Sequence, residues 1–597
     1  MKELTALGHK VVCYECLPVI GGVYCKSYDH TILTTSSCLT AYSDYSDGME
    51  AKPKFWSDTE YLAYLDGFAK KFNLRQHINF RTKVEKLQRC PKSGKWTVSF
   101  KRNRYSPPHR AYPEVAPEDP KEPMVQEEGF DSVCICTGTN TWASLPCFKG
   151  QECFKGEIMH SEKYRSAEEF TGKRVLVVGS GESGSDICNE ISKYAAATGL
   201  AVRGKHGHLI PRVQADGRVT DLNTNRCRYS NPYVLGDWVG YVNQLAKRFV
   251  ASMGPADDET KVLKKIAQLN LDQSTSAFSK FGCKNAGFVE AMVLRGTSLH
   301  RGGFELTENK AVFGDGSTFE CDVIVACTGY RNTFPFVEET HPDINAFGQN
   351  PRLLYKQIFH PNYDGEIAYF GFARPAFGSI PPTAEMQSRF FAMVANGDIS
   401  LPPPEKMVEV ALEDKAQYDW RFGYDAKRVK GLVDFQIYTD DLAKQMGVLP
   451  PLMKIFFQKP KLWMKIMFGP VSIDRCLEMN TAVARVRDQK YSALPPALHD
   501  APVPIAGAVR KPRGCGRGVL ATTDRRLPRV LHHGRFPWYC QGGTDPRWCM
   551  QSASDSSICR FSHEWNRFWL KSTPWPCLFP PRDAKLLVRA QTRRCMV

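Results

Sequence analysis

The chain has 597 residues, 42% of them hydrophobic and 24% charged, an ordinary globular composition that excludes a fibrous or low-complexity protein. It has no apolar run of about 18 residues for a spanning helix and no secretory signal pattern, so we expect a cytoplasmic protein, with peripheral attachment to the endoplasmic reticulum membrane as the alternative. The formal charge of +16 divides into +13 over residues 481–597 and +3 over the rest, so it does not indicate a nucleic-acid partner for the body.

The first residues predict a helix end, "ELTALG", and then a strand, "VVCYE", that ends on Glu15. A strand that ends on an acid is typical of a dinucleotide-binding unit, where the acid holds a ribose 2′-hydroxyl of a cofactor such as FAD. The glycine loop of such a unit lies about 20 residues before the acid. Only 14 residues precede Glu15, so we expect the first strand and its loop to be absent from this chain.

Further elements follow in order along the chain. Residues 55–75 predict an amphipathic helix, and "INFRTKVEKLQR", "KWTVSF" and "FDSVCICTG" predict strands. Residues 102–128 are rich in proline and glutamate and predict a surface loop. The stretch 231–295 is largely helical in pattern, and Asp315-Gly316 predicts a hairpin turn.

Two segments resemble each other closely. "FDSVCICTG" (130–138) and "CDVIVACTG" (321–329) share an aspartate, a β-branched run and Cys-Thr-Gly. This echo predicts two nucleotide domains, each closing on such a strand. A chance similarity of two buried strands is the alternative.

The segment "RVLVVGSGESGSDI" carries the strongest motif, with Gly179, Gly181 and Gly184 at G-x-G-x-x-G spacing. The first glycine permits a tight turn, the second admits a pyrophosphate and the third allows close packing of helix on strand. A helix that begins near Ser183 would direct its amide donors at the phosphates. A glycine-rich turn without a ligand is the alternative.

The next strand, "GLAVRGKHG", ends without an acid and carries Arg203 and Lys205 instead. A guanidinium at this edge suits the 2′-phosphate of NADPH, which an acid would repel. The alternative is a solvated basic turn.

Residues 476–597 form an irregular basic tail without helical or strand periodicity, rich in Arg, Pro, Trp and Cys. We expect it to be disordered or non-native, with a nucleic-acid-binding arm as the alternative. The pair Cys13 and Cys16 has no second pair at zinc-site spacing, so we expect core thiols and no metal site.

The order of motifs resembles the flavin-containing monooxygenases, relatives of the Baeyer–Villiger monooxygenases, from residue 1 to about 470. "CFKGEIMHSEKYR" matches the family fingerprint F-x-G-x-x-x-H-x-x-x-[WY] at Phe154, Gly156, His160 and Tyr164. "IGGVY", "TTSSCLTAYSDY", "DLNTNR", "GCKNAGFVEAM" and "IPPTAEMQSR" follow the family's order.

The resemblance implies an α/β fold with two Rossmann-like dinucleotide-binding domains, the NADP domain inserted into the FAD domain. The implied domains are an FAD-binding first part at 1–165, an NADP domain with a helical insert at 166–330, completion of the FAD domain at 331–475 and the tail at 476–597.

The resemblance also implies an enzyme of the N,N-dimethylaniline monooxygenase type. NADPH would reduce FAD, dioxygen would form a flavin C4a-hydroperoxide, and a small amine or sulfide would take the outer oxygen. A homodimer is one implied assembly. The alternatives are a Baeyer–Villiger monooxygenase and a truncated NADP-binding remnant without activity.

By resemblance, Thr34 and Thr35 stand in the flavin-lining segment, where many members place a catalytic Asn. His160 is expected to link the domains rather than to act as a base. The implied FAD contacts are Glu15, Gly21, Gly22, Val23, Tyr24, Thr137, Gly138, Thr328, Gly329 and Gln387. The implied NADP contacts are Gly179, Ser180, Gly181, Ser183, Gly184, Ser185, Asp186 and Arg203.

Overall fold

The structure is a computed structural model, and it describes residues 1–46, 52–102, 124–204, 206–214, 217–227, 245–246, 248–250, 252, 254, 257–272, 282–423, 429–469 and 594–597. The chain divides into two compact units, one of residues 1–493 with 590–597 and one of residues 494–589. The second unit lies outside the described residues.

The strands, in chain order, are β1 (Lys10–Tyr14), β2 (Ile32–Ser36), β3 (Phe55–Ser57), β4 (Ile78–Asn79), β5 (Thr82–Arg89), β6 (Trp96–Arg102), β7 (Val125–Phe130), β8 (Ser132–Ile135), β9 (Trp142–Ala143), β10 (Glu157–His160), β11 (Arg174–Val178), β12 (Ala197–Val202), β13 (His208–Leu209), β14 (Gly282–Cys283), β15 (Ser298–Arg301), β16 (Phe304–Leu306), β17 (Lys310–Phe313), β18 (Thr318–Glu320), β19 (Val323–Ala326), β20 (Tyr330–Arg331), β21 (Ile367–Tyr369), β22 (Arg374–Pro375), β23 (Leu432–Val433) and β24 (Arg594–Met596).

The helices, in chain order, are α1 (Lys2–Ala6), α2 (Ser37–Thr40), α3 (Asp58–Lys71), α4 (Glu182–Ile191), α5 (Asp258–Leu271), α6 (Gly287–Arg295), α7 (Pro335–Glu338), α8 (Pro342–Gln349), α9 (Ile380–Ala395), α10 (Pro404–Phe422), α11 (Phe435–Gln445), α12 (Leu452–Gln458) and α13 (Pro460–Phe468). Among the described residues, no helix combines the length and the apolarity needed to cross a membrane.

Two five-stranded parallel sheets organise the first unit. Sheet A has the order β21-β8-β24-β1-β4, and sheet B has the order β10-β19-β11-β12-β15. All strands of sheet B come between β8 and β21 of sheet A in the sequence, so one nucleotide-binding unit is inserted into the other. This confirms the predicted α/β class with two Rossmann-like sheets, since all-parallel sheets are typical of such folds.

The two Cys-Thr-Gly segments follow β8 and β19, one strand in each sheet. The echo therefore marks corresponding places in sheets A and B. Gly138 and Gly329 both take positive φ, 74° and 82°, a conformation that glycine adopts without steric cost.

The last residues of the sequence form a strand at the centre of sheet A, which corrects the expectation that all of residues 476–597 are irregular. Strand β24 lies between β1 and β8, pairing Val11 with Cys595 on one side and Ser132 with Cys595 on the other. The segment has three residues, too short to show periodicity in the sequence, and pairing with two buried strands makes it a strand. The rest of the predicted tail, from 476 to 593, lies outside the described residues.

Other predicted elements are present in the structure, but they begin or end at different residues. The predicted helix at 55–75 begins with strand β3, and the helix itself is α3. The Ser57 hydroxyl and the Glu60 carboxylate form a reciprocal capping box that sets its start. The predicted loop at 102–128 ends in β7, and its residues 103–123 lie outside the described part. In the predicted helical stretch, α5 and α6 are described and 231–244 are not.

Separate apolar cores hold the sheets. Helices α4 and α6 cover sheet B through Ile187, Ile191 and Phe288, all fully buried. Helices α9 and α11 cover sheet A, where Phe391 and Leu442 join the core. Rigid sheets of this kind position the loops at their carboxyl edges, where open α/β sheets bind ligands.

Candidate functional site

One cavity of about 2200 Å³ runs along the carboxyl edges of both sheets. Glu15 and Cys136 line it from sheet A, and Gly179, Arg203 and Thr328 line it from sheet B. Ligand pockets for drug-sized molecules are about 300–1,000 Å³, so this cavity has room for more than one such ligand.

The predicted glycine loop has the geometry of a phosphate cradle. Gly179 takes φ 107°, and a Cβ on it would lie 2.6 Å from the Cys327 carbonyl oxygen. A Cβ on Gly184 would lie 1.9 Å from the Gly179 carbonyl oxygen. A Cβ on Gly181 would meet no atom within 4 Å, so the backbone of Gly181 stands open to the cavity. Gly179 and Gly184 thus take the tight turn and the close packing that the spacing predicts, and pyrophosphate binding at Gly181 stays a prediction.

Helix α4 begins at Glu182, directly after the loop, with Gly181 as its N-cap. The predicted start near Ser183 is confirmed within one residue. Its N-terminal amides carry the partial positive charge that favours a phosphate. The Glu182 carboxylate accepts a hydrogen bond from the Lys284 backbone N–H at 2.8 Å, and burial raises its pKa.

The edge next to the cradle is basic. Arg203 follows β12 directly, is exposed and lines the cavity. Lys205, the second predicted cation, lies outside the described residues.

On the sheet A side, Glu15 stands at the end of β1 and lines the cavity. One of its carboxylate oxygens accepts the Leu17 N–H at 2.8 Å, and burial raises its pKa. Gly21 and Gly22 follow with φ 148° and 55°, and a Cβ on Gly21 would lie 2.1 Å from Leu62 Cδ2. The chain therefore turns tightly against α3 at a place where only glycine fits.

The two predicted catalytic threonines differ in their surroundings. Thr34 lines the cavity. The Thr35 hydroxyl is buried and shares hydrogen bonds with the hydroxyls of Thr40 at 2.7 Å and Ser379 at 3.2 Å. Of the two, Thr34 is therefore the one in a position to meet a ligand in the cavity.

Gln387 is fully buried and does not line the cavity. Its side-chain oxygen accepts the Gly371 N–H at 3.1 Å, and its amide nitrogen donates to the Tyr438 hydroxyl at 2.9 Å. Its amide thus joins α9 to the loop after β21 and to α11.

The structure separates the predicted site residues into two groups. Those that line the cavity are Glu15, Gly22, Val23, Tyr24, Thr34, Thr137, Gly179, Ser180, Gly181, Ser183, Gly184, Asp186, Arg203, Thr328 and Gly329. Those outside its lining are Gly21, Thr35, Gly138, Ser185 and Gln387.

His160 joins two segments of the insert. Its Nδ1 accepts the Glu162 N–H at 3.1 Å, so its Nε2 carries the proton and donates to the Gly329 carbonyl at 3.0 Å. Burial lowers its pKa. Both ring nitrogens are engaged within the insert, and the predicted link between the domains stays a prediction. Among the described residues, no group of three or more His, Cys, Asp or Glu side chains is placed to hold a metal ion.

A polar cluster around Asp186 was not found from the sequence. The Asp186 carboxylate accepts hydrogen bonds from the Tyr28 hydroxyl at 3.1 Å, from the Asn285 amide and, at 3.3 Å to each oxygen, from the Arg212 guanidinium. Arg212 also donates to the Ile32 carbonyl at 3.3 Å. Tyr28 and Asp186 are 158 positions apart in the sequence. No local sequence pattern joins the members of this cluster, so the sequence could not reveal it.

The residues present fit two dinucleotides. The Gly179–Gly184 loop keeps open a space that side chains would otherwise fill, and Arg203 places a cation at the end of the next strand. Both features fit the phosphates of NADP. The acid at the end of β1 and the glycine turn after it fit the adenosine side of FAD. Among the described residues, no second G-x-G-x-x-G loop follows a strand of sheet A.

Comparisons with known proteins agree with this geometry. The family model for flavin-binding monooxygenase-like proteins matches residues 22–477. The chain is 32% identical over 478 residues to a 4-hydroxybenzoate brominase (decarboxylating) from Pseudoalteromonas luteoviolacea, covering 79% of this chain and 85% of that one. It is 31% identical over 486 residues to flavin-containing monooxygenase 2 from Homo sapiens, covering 78% and 83%.

Among solved structures, an open crystal structure of cyclohexanone monooxygenase superposes with a TM-score of 0.53 at 15% identity, covering 75% of this chain and 94% of that one. At this level of identity, the similarity between the two structures shows a shared fold and no more. With the family match and the relatives above 30% identity, the chain belongs to the flavin-binding monooxygenase family, oxidoreductases that use FAD and NADPH.

Proposed function

We propose that this chain oxygenates a soft nitrogen or sulfur centre of a small molecule, with FAD, NADPH and dioxygen as co-reactants. The observation that carries the proposal is the single cavity that both sheet edges line, since it lets the two dinucleotides meet. Relatives named as N-oxide-forming dimethylaniline monooxygenases support this substrate class; the one from Oryctolagus cuniculus is 31% identical.

When bound, the cofactors supply the hydride and the activation of dioxygen. The protein's part is to bind, orient and exclude water. The Gly179–Gly184 loop and the start of α4 would hold the pyrophosphate of NADPH through backbone N–H groups. Arg203 would hold its 2′-phosphate. Glu15 would accept a hydrogen bond from the ribose of FAD.

Thr34 would supply a hydroxyl at the wall of the cavity, where it can donate one hydrogen bond to a ligand. A hydroxyl offers fewer donors than the asparagine amide that many family members carry. We therefore expect Thr34→Asn to change the yield of oxygenated product per NADPH consumed, and Thr35→Ser, at a buried position, to leave that yield unchanged.

Other relatives raise a second candidate function, the halogenation of an aromatic acid coupled to its decarboxylation. Two relatives at 32% and 33% identity carry the name 4-hydroxybenzoate brominase (decarboxylating). The chain matches them over 79% of its length, as much as it matches the monooxygenases.

A product assay separates these candidates. The purified full chain, supplied with FAD and NADPH, would be given isotope-labelled dioxygen and, in separate reactions, dimethylaniline, a thioether, cyclohexanone, or 4-hydroxybenzoate with bromide. Labelled N-oxide or sulfoxide would support the proposal. A lactone would instead indicate a Baeyer–Villiger monooxygenase, and a brominated phenol would indicate a brominase. Binding of NADP⁺ without flavin uptake or product would indicate a nucleotide-binding protein without activity.

A further inference from the structure

The carboxyl ends of β12 and β15 lie side by side at the outer edge of sheet B. The register pairs Val202 with Arg301, and Arg203 is the next residue after Val202. Two arginines that are 98 positions apart in the numbering therefore stand at neighbouring strand ends. No motif in the sequence links them, because Arg301 belongs to a separate strand that only the sheet brings alongside β12.

The Arg301 side chain extends over the turn that begins at Arg203. Its Nη1 lies 3.5 Å from the Gly204 carbonyl oxygen, longer than the roughly 2.7–3.2 Å usual for an N–H···O hydrogen bond. Arg301 is exposed, as are Arg203 and Gly204. A long, weak bond to one carbonyl leaves the other N–H donors of the guanidinium available at the surface of this turn.

The position next to this turn is the one that a nucleotide 2′-substituent takes in this type of fold, since the cradle at Gly179–Gly184 fixes the pyrophosphate on the adjacent strand β11. Gly302 and Gly303, the residues directly after Arg301, line the cavity. A dianionic phosphate at this edge would face the Arg203 side. Arg301 itself does not line the cavity; its guanidinium lies at the Gly204 carbonyl, beside the same turn.

We propose that Arg301 is a second binding residue for the 2′-phosphate of NADPH and so helps to select NADPH over NADH. Arginine suits this task because its planar fork can donate two hydrogen bonds to one phosphate. Its contact with the Gly204 carbonyl shows that the guanidinium reaches the turn that begins at Arg203. The inference rests on the use of NADPH and adds a specificity residue to that site.

Isothermal titration calorimetry of the purified full chain tests the inference directly, with 2′,5′-ADP, 5′-AMP, NADP⁺ and NAD⁺ as probes. Arg301→Gln should weaken binding of 2′,5′-ADP and NADP⁺ at least about tenfold, the effect of losing a charge-assisted hydrogen bond. Binding of 5′-AMP and NAD⁺ should stay within about twofold, because each matches its partner probe except for the missing 2′-phosphate. Arg301→Lys should fall between, since it keeps the charge without the fork.

The matched control is Lys173→Gln, which removes an exposed cation at the amino end of β11, the opposite edge of the same sheet. It should leave all four affinities unchanged. An unchanged thermal midpoint for Arg301→Gln would show that the fold is intact.

Three outcomes would overturn the assignment. If the wild type binds 2′,5′-ADP and Arg301→Gln binds it equally well, Arg301 has no such role. Equal loss of binding of 2′,5′-ADP and 5′-AMP would show that the residue acts on the shared part of the ligand. A wild type that prefers 5′-AMP over 2′,5′-ADP would overturn the use of NADPH itself, and the assignment of Arg301 with it.

Discussion

The Tyr28 hydroxyl donates a hydrogen bond of 3.1 Å to the Asp186 carboxylate and thereby joins the segment before β2 to helix α4. Arg212 adds a bidentate ion pair to the same carboxylate and a hydrogen bond to the Ile32 carbonyl. The cavity wall at Tyr28 and Ile32 and helix α4 are thus held together by Asp186, a half-buried anion. Asp186, predicted as a nucleotide contact, lines the cavity with both oxygens already bonded to the protein.

Tyr28→Phe tests this connection. The change removes one hydrogen bond to a charged acceptor without altering the ring, so we expect the free energy of unfolding to fall by about 1–2 kcal/mol. Urea unfolding followed by tryptophan fluorescence measures it. Tyr45→Phe is the control, because the Tyr45 hydroxyl has no hydrogen-bond partner among the described residues. Equal stability of wild type and Tyr28→Phe would show that the bond contributes nothing.

We expect an added methyl group to have different effects at two glycines of the loop, Gly184 and Gly181. Gly184→Ala would place its Cβ 1.9 Å from the Gly179 carbonyl oxygen, so α4 must shift, and we expect a loss of about 1–3 kcal/mol in stability with weaker NADP⁺ binding. Gly181→Ala meets no atom within 4 Å and has φ −77°, so its stability should change by less than about 0.5 kcal/mol.

The methyl group of Gly181→Ala would nevertheless occupy the path by which a pyrophosphate approaches the backbone. Calorimetry with NADP⁺ should therefore show weaker binding for both variants, and chemical unfolding should separate them. Wild-type affinity in Gly181→Ala would mean that the nucleotide does not approach this loop.

His360 predicts an acid-sensitive stability. It is fully buried, its Nδ1 accepts the Asn362 N–H at 3.3 Å, and burial lowers its pKa to about 4. The unfolded chain protonates histidine near pH 6.5. The unfolded state therefore binds the extra proton between about pH 6.5 and 4, and the free energy of unfolding falls as the pH is lowered through this window.

Each pH unit in that window removes up to about 1.4 kcal/mol. His360→Gln cannot take up this proton, so its stability should fall less between pH 7 and 5 than that of the wild type. His77→Gln, at a half-buried position, should follow the wild-type profile. Parallel profiles for wild type and His360→Gln would contradict the prediction.

Strand β24 predicts a core contribution from the last residues of the sequence. Met596 is buried and packs in the cluster that contains Trp96, Phe334 and Tyr369. Met596→Ala should cost about 2–5 kcal/mol, as for other buried methionines, while the volume-conserving Met596→Leu should cost less than about 1.5 kcal/mol. Thermal unfolding of the full chain compares them. If Met596→Ala were as stable as the wild type, β24 would not contribute to sheet A in solution.

The sequence by itself determined the parts of the site whose chemistry is local. Gly179, Gly181 and Gly184 are predictable because a tight turn, a backbone open to a ligand and a close packing contact are each required within one six-residue stretch. Glu15 and Arg203 are predictable because each ends a recognisable strand. The two Cys-Thr-Gly strand ends predicted two nucleotide domains, whereas the insertion of one into the other came from the resemblance to the family.

The tertiary structure alone decided which residues from distant segments meet. Asp131 and Arg594 are 463 positions apart, yet the Arg594 backbone N–H donates to the Asp131 carboxylate at 2.8 Å where β24 enters sheet A. A three-residue strand has no periodicity to read, and its pairing energy exists only when two buried strand edges flank it. The bonds around Asp186 and the position of Arg301 beside Val202 are long-range for the same reason: packing of separate elements creates them, and no local propensity encodes them.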